Sequence, residues 1–251
     1  MATDAGHAPF LLLSIRAEDA AADDEYAAMM RFAGLDADGM QRIRLTHRPL
    51  GEIDLADWSG IILGGGPYNV SDAPESKSET QLRAESELLP LIGRIVDADF
   101  PFLGCCYGVG TLGTVIGATV DRTYPEPVAA LTVTLTDEGR RDPLFADLPD
   151  VFDAYGGHKE GASALPSDAA RLAYSPDCPI QAFRVGDNVY ATQFHPELDA
   201  DGMCTRIDVY KDYGYFPPET AESLKSAALG RSVEVPPTIL RRFAQRYARP
   251  V

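Results

Sequence analysis

The chain is short of several things, and each shortage removes a class of function. Lys and Arg number 22 against 38 Asp and Glu, a formal net charge of −16. A surface of that sign neither releases counterions from phosphate backbones nor attracts anionic lipid, so nucleic acid and membranes are not expected partners. Long apolar runs are missing, and no stretch approaches the roughly 20 residues that span a bilayer. The opening MATDAGHAPFLLLSIRAED lacks a basic start, and its apolar run is too short for a secretory signal. Four cysteines in 251 residues, Cys105, Cys106, Cys178 and Cys204, form neither a disulfide framework nor a paired zinc-ligand spacing. No metal is expected, and the default is a reduced, soluble, cytoplasmic chain. Repeats, low-complexity tracts and long linkers are also lacking. One domain over residues 1–251 is therefore expected, with an extension from about residue 200.

What remains is an ordinary globular composition, 45% hydrophobic and 24% charged. Its pattern changes part-way along. PFLLLSI reads as a strand buried on both faces, since its apolar residues do not alternate. ADDEYAAMMRFAGL suits a helix, with acids in the first turn and Gly34 near the end. MQRIRLT and SGIILGGGP read as further strands, Glu79 to Asp97 as a helix, FPFLGCC as a strand and Tyr107 to Ile116 as a helix. This alternation predicts an α/β fold with an open, mainly parallel sheet covered by helices on both faces. From PVAALTVTLTDEG to ATQFHPE the chain is β-rich. The turns DEG and GDN suggest an antiparallel extension. PPTILRRFAQRYARP has helical apolar spacing and is expected to pack back on the sheet.

Two of the four cysteines stand together in PFLGCCYGVGTLG. Gly104-Cys105-Cys106-Tyr107-Gly108 has the form G-x-C-x-G between a predicted strand and a predicted helix. That is the layout of a nucleophile elbow, with Cys106 as the projecting residue and Cys105 in the strand. A helix N-terminus beside the sulfur favours thiolate, the attacking form. Two inert buried cysteines would fit the local pattern equally well. A thiol nucleophile needs a base, and the chain has four histidines. His7 lies in a terminus expected to fray, and His47 lies in a polar loop. His158 sits in the glycine-rich YGGHKEG. His195 follows an apolar strand in ATQFHPE, where Pro196 stiffens the chain and Glu197 can orient the ring. In IILGGGPYNV, glycines after a strand leave backbone N–H groups free to face a ligand. The N–H groups of Gly66 and Tyr107 are the candidate oxyanion donors. A phosphate loop would need a lysine and a hydroxyl that are absent, and plain turn glycines remain the alternative.

Gly65-Gly66-Pro67, Gly104 to Gly108, and Phe194-His195-Pro196-Glu197, in that order, resemble the class I (triad) glutamine amidotransferase family. The likeness runs from the first strand to about residue 200. It is greatest to the amidotransferase domain of GMP synthetase and its stand-alone relatives, to which DPLFADLP and LAYS are also similar. The resemblance implies a flavodoxin-like fold and a glutaminase half-reaction with Cys106, His195 and Glu197 as triad. It calls for no cofactor, and implies a synthetase partner to receive ammonia. Gly65, Gly110 and His158 become candidates for lining the substrate site. Two features depart from the family. Gly110 stands where the family commonly has a substrate-holding glutamine, which is expected to widen the pocket. GGHKEG replaces an HGD-type loop, so Lys159 and Glu160 stand against coupling to a synthetase half. A γ-glutamyl hydrolase or peptidase uses the same chemistry and is the first alternative. A non-catalytic module on the same fold is the second. A cysteine α/β-hydrolase fits less well, since its acid precedes the histidine.

Overall fold

The computed structural model describes residues 7–250. β1 (Phe10–Ser14) is buried along its whole length. α1 (Asp19–Ala33) follows and is stopped by Gly34 in the left-handed conformation, φ 73°. β2 (Met40–Arg44), β3 (Gly60–Leu63), α2 (Glu79–Asp97), β4 (Phe102–Cys105) and α3 (Tyr107–Ile116) complete the first half. β1 lies parallel between β2 and β3, and β4 lies parallel beside β3. The second half holds β5 (Thr119–Asp121), β6 (Glu126–Leu135), α4 (Asp137–Arg141), β7 (Val151–His158), β8 (Gly161–Ala164), β9 (Ala169–Tyr174), β10 (Ala182–Val185) and β11 (Val189–Thr192). α5 (Ala200–Tyr210), α6 (Ala221–Leu229) and α7 (Pro236–Tyr247) form the C-terminal part.

The main sheet runs β2-β1-β3-β4-β11-β10-β9-β6-β7, with β5 and β8 in a small antiparallel sheet of their own. Its first half is parallel. From β11 onward the pairs β11–β10, β10–β9, β9–β6 and β6–β7 are antiparallel. β11 itself returns parallel to β4, with Thr192 opposite Cys105. The segments that follow these two strands therefore emerge side by side at the carboxyl end of the sheet, where open α/β folds place their ligands.

Alternation along the strands divides the core. Leu11, Leu13, Ile61 and Leu63 pack with Leu88, Ile92 and Ile95 of α2 and with Leu112 of α3. Phe10, Leu12, Ile62 and Leu103 face the other way, onto Met29 of α1 and Ile239, Leu240 and Phe243 of α7. A smaller cluster joins Tyr155 of β7 to Met203 and Ile207 of α5 and Ala228 of α6.

Two local expectations change. Asp137-Glu138-Gly139 is not a hairpin turn but the opening of α4, because the Thr136 hydroxyl caps it by accepting from the Gly139 N–H at 3.0 Å. His7 does not lie in a frayed end: it bridges Pro250, and Ala8 N–H donates to the Arg249 carbonyl at 2.9 Å.

Phe243 is fully buried, its ring 5.9 Å from that of Phe10 and 5.0 Å from that of Tyr247. Phe243→Ala is expected to cost about 3–5 kcal/mol, read from the urea midpoint at constant m-value. A loss below about 1 kcal/mol would mean that α7 contributes little to the core.

Candidate active site

β4 ends at Cys105 and α3 begins at Tyr107, so Cys106 must turn the chain alone. It does so at φ 53° and ψ −90°, a left-handed backbone in a residue with a Cβ, which costs on the order of 1–3 kcal/mol. The turn is held from both sides. Cys106 N–H donates to the Thr192 carbonyl at 2.7 Å, and its own carbonyl accepts from Val109 N–H at 2.9 Å. Strand and helix approach so closely that a Cβ at Gly104 would lie 2.8 Å from Gly108 Cα. Cys105 is fully buried, and burial, then the charges of Glu197 and Glu25, push its thiol well above the ordinary range. It stays protonated. Cys106 is only half-buried and lines a cavity.

His195 faces that cavity from the segment after β11. Its N–H donates to the Tyr155 carbonyl at 2.9 Å, and its Nδ1 lies 2.8 Å from Glu197 Oε1. Burial works against a charged imidazole. Glu197 and the neighbouring Cys106 outweigh it and push the ring up to about 9. Glu197 is fully buried, which favours the neutral acid, but His195, then Arg206 and Arg16, hold it well below the usual carboxylate range. The two groups form a buried ion pair.

The loop after β3 closes the third side. A Cβ at Gly65 would fall 2.5 Å from His195 Cε1, 3.1 Å from Cys106 Cβ and 3.4 Å from Arg16 Nη2. Only glycine fits there. Gly66 and Tyr107 line the cavity with Cys106. Among the described residues, no loop or capping bond uses the N–H of either. Cys106, His195, Glu197, Gly65, Gly66 and Tyr107 thus meet around one point.

The cavity divides at Cys106. The branch beside His195, lined by Arg16, Met203, Arg206, Tyr210 and Tyr215, holds about 60 Å³. The branch beside Tyr107, lined by Asn69, Glu160, Gln193 and Tyr215, holds about 10 Å³, room for about one water at most. Gly110 therefore does not widen the pocket, contrary to the expectation. Glu160 fills the space: its Oε1 lies 2.5 Å from where a Cβ at 110 would stand. The carboxylate accepts from Val70 N–H and Ser71 N–H, each at 2.8 Å, and from Ser71 Oγ at 2.6 Å. His158 is buried with Nε2 on Glu126 at 2.8 Å and Nδ1 on the Glu160 carbonyl at 2.9 Å. With both nitrogens on internal acceptors it shapes the loop and offers no ring nitrogen to a ligand. His47 is exposed and remote in a turn.

Sequence reasoning missed Arg16, Arg206, Tyr210 and Tyr215, and singled out Glu160 only as a departure in the loop after His158. Of the four missed, Arg16 alone left a signal, as a charge directly after a buried parallel strand, at the crevice end.

A model of the class-I glutamine amidotransferase family matches residues 40–205, two thirds of the chain. The chain belongs to that family. Among curated proteins it is 29% identical over 154 residues to a GMP synthase [glutamine-hydrolyzing] of Borrelia garinii, covering 61% of this chain and 26% of that protein. It is 31% identical over 151 residues to the GMP synthase of Neisseria meningitidis, covering 60% and 26%. The chain thus spans about a quarter of the length of these relatives. A glutamine amidotransferase structure from Thermotoga maritima superposes with TM-score 0.70 at 24% identity, covering 96% of this chain and all of that one. One from Methylobacillus flagellatus superposes with TM-score 0.70 at 18% identity, covering 97% of each. At these identities the structural likeness is one of fold.

Because Glu197 raises His195, Glu197→Gln should bring the ring down. The alkaline limb of any Cys106-dependent turnover should then move from about pH 9 toward the ring's ordinary 6.5. The sign for stability is the same: the protonated ring's contribution is complete below pH 6.5 and is lost as pH rises through about 9. An unmoved limb would assign it to another group. Gly110→Ala should drive Glu160 off the Ser71 loop at a cost of about 1–3 kcal/mol. Pairing it with Glu160→Ala should recover most of that loss in a double-mutant cycle, whereas simple additivity would show that the two sites do not touch.

Proposed function

We propose that this protein is a cysteine-dependent glutaminase of the amidotransferase type, forming a γ-glutamyl thioester on Cys106. The arrangement of a strained Cys106 elbow against a Glu197-held His195 carries the reading. In this mechanism the Cys106 thiolate attacks the side-chain amide carbon, and the oxyanion takes the N–H groups of Gly66 and Tyr107. The C–N bond breaks as His195 gives its proton to the departing nitrogen. A water then attacks the thioester, His195 takes its proton, and glutamate leaves. No cofactor is needed for these steps. Glu197 keeps the ring in position and stabilises its charge, acting through His195.

In this reading the ammonia serves an acceptor on a synthetase partner in the cytoplasm, and the likeness of the matched region to glutamine-hydrolysing GMP synthases supports it. The extension contributes to the site. Tyr215 of the extension lines both cavity branches. Lys159 holds this segment by donating to the Tyr213 carbonyl at 3.2 Å and lying 4.3 Å from the Tyr215 ring centre.

A second reading, hydrolysis of γ-glutamyl conjugates, is favoured by one observation. The open space at Cys106 lies beside His195, on the side where the leaving nitrogen departs.

The deciding experiment is mass-spectrometric trapping of the acyl-enzyme with glutamine and with γ-glutamyl dipeptides. A γ-glutamyl adduct on the peptide carrying Cys106 is expected, with ammonia or free amine released. Cys106→Ser should lower turnover by at least about a thousandfold. Cys105→Ala should cost less than about tenfold, as a buried packing residue does. Equal losses would refute the elbow assignment. A protein that acylates with neither class of substrate would be a non-catalytic module.

A further inference from the structure

Two guanidinium groups lie buried against the His195 branch with donors to spare. The Arg16 side chain is 4% exposed; its Nε donates to Glu25 Oε1 at 2.8 Å and its Nη1 to the Tyr210 hydroxyl at 3.1 Å. Among the described residues its Nη2 has no hydrogen-bond partner, and it approaches the point where Gly65, Cys106 and His195 meet. Arg206, 6% exposed, donates from Nη1 to the Ala21 carbonyl at 2.8 Å and to Asp24 at 3.0 Å. Its Nε and Nη2 are buried with no partner, as is Glu197 Oε2. Burial opposes the charge on Arg16, but Glu25 and Tyr210 more than restore it and raise the group above its ordinary value. The guanidinium is thus fixed in place and charged.

An unpaired buried donor, such as those of Arg206, is costly, and Arg16 lines the cavity with Nη2 unpaired among the described residues; such groups generally serve a ligand or water. The branch they border has room for about four waters, enough for a few heavy atoms and one carboxylate. Its remaining wall is apolar and aromatic: Leu198, Met203, Ile207, Tyr215 and Phe216. Cys106 and His195 both line this space. Whatever is attached to the nitrogen that His195 protonates must therefore project into it. Ammonia attaches nothing and would leave Arg16 Nη2 without a ligand.

We propose that this branch is a leaving-group subsite in which Arg16 Nη2 binds the carboxylate of a small amino acid amide-linked through its nitrogen to the γ-carboxyl of glutamate. The inference rests on the γ-glutamyl reading above and names its substrate class. The Cys106 sulfur bonds to the carbon of the γ-carboxyl group, the C–N bond breaks, and the nitrogen takes the His195 proton and leaves as a free amino acid. Water then releases glutamate. Arg206 lines the branch and acts on Glu197 through its charge, without a direct bond to it.

The test compares γ-glutamylglycine with γ-glutamylglycinamide, which has the same shape and lacks the negative charge. Calorimetry on the Cys106→Ala protein reads binding without turnover. The acid is expected to bind at least about tenfold more tightly, the scale of one charge-assisted hydrogen bond. Equal affinities, or no binding of either, would overturn the subsite. Arg16→Gln should level the two affinities, and Arg16→Lys should keep part of the difference. Because Arg16 is buried against Glu25, a variant that fails to fold leaves the comparison in the Cys106→Ala protein to decide. Turnover of glutamine with no preference between the two glycine compounds would sink the subsite and leave the glutaminase. Preferential binding of the acid without release of amine or ammonia from any of them would sink the catalytic reading and leave the subsite.

Discussion

The parallel pairing of β11 with β4 is the constraint on which the site depends. It sets Thr192 opposite Cys105, so the next peptide of each strand meets across one hydrogen bond, Cys106 N–H to the Thr192 carbonyl. That bond fixes the elbow and, three residues on, the origin of His195. Cys106 could not hold φ 53° by itself, because a side chain at that backbone angle is strained unless its surroundings over-determine it. Here they do so through the sheet on one side and the first turn of α3 on the other. Strain is stored at the residue that faces the cavity, and the most regular part of the fold maintains it.

Much of this was legible in the sequence, for identifiable reasons. The strands β1, β3 and β4 are uninterrupted apolar runs, and α2 has an amphipathic face with a Ser78 cap, so local pattern and final structure agree. The family match over residues 40–205 agrees with the resemblance carried by the three motifs. The pocket was another matter. Gly110 suggested empty space because sequence shows what a residue lacks and is blind to what arrives from elsewhere. Glu160 arrives across fifty positions of chain and fills it. The DEG segment read as a turn because aspartate and glycine favour turns. One hydroxyl, that of Thr136, tips it into α4.

The same blindness concealed the charge cluster beneath His195. Arg16 comes from the end of β1, Glu25 from α1, and Arg206 and Tyr210 from α5, so no spacing in the chain announces them. Buried ion pairs seldom stabilise a fold more than apolar replacements would, since desolvation offsets their attraction. Retaining Arg16–Glu25 at 2.8 Å in a fully buried position therefore points to an electrostatic task. That task is visible at Glu197, which Arg206 and Arg16 help keep ionised although it is fully buried. An ionised Glu197 in turn keeps His195 protonated.

The C-terminal extension follows from that cluster. α5 buries Met203 and Ile207 against Tyr155, and this apolar anchoring sets the helix face that delivers Arg206 and Tyr210 to the cavity. Without it Arg16 would lose the Tyr210 hydroxyl, and one wall of the His195 branch would open to water. Solvent there would raise the local dielectric and weaken both ion pairs at once. The extension therefore acts on the chemistry through exclusion of water as much as through contact. Arg206, just beyond the region matched by the family model, thereby bears on the charge of Glu197 within it.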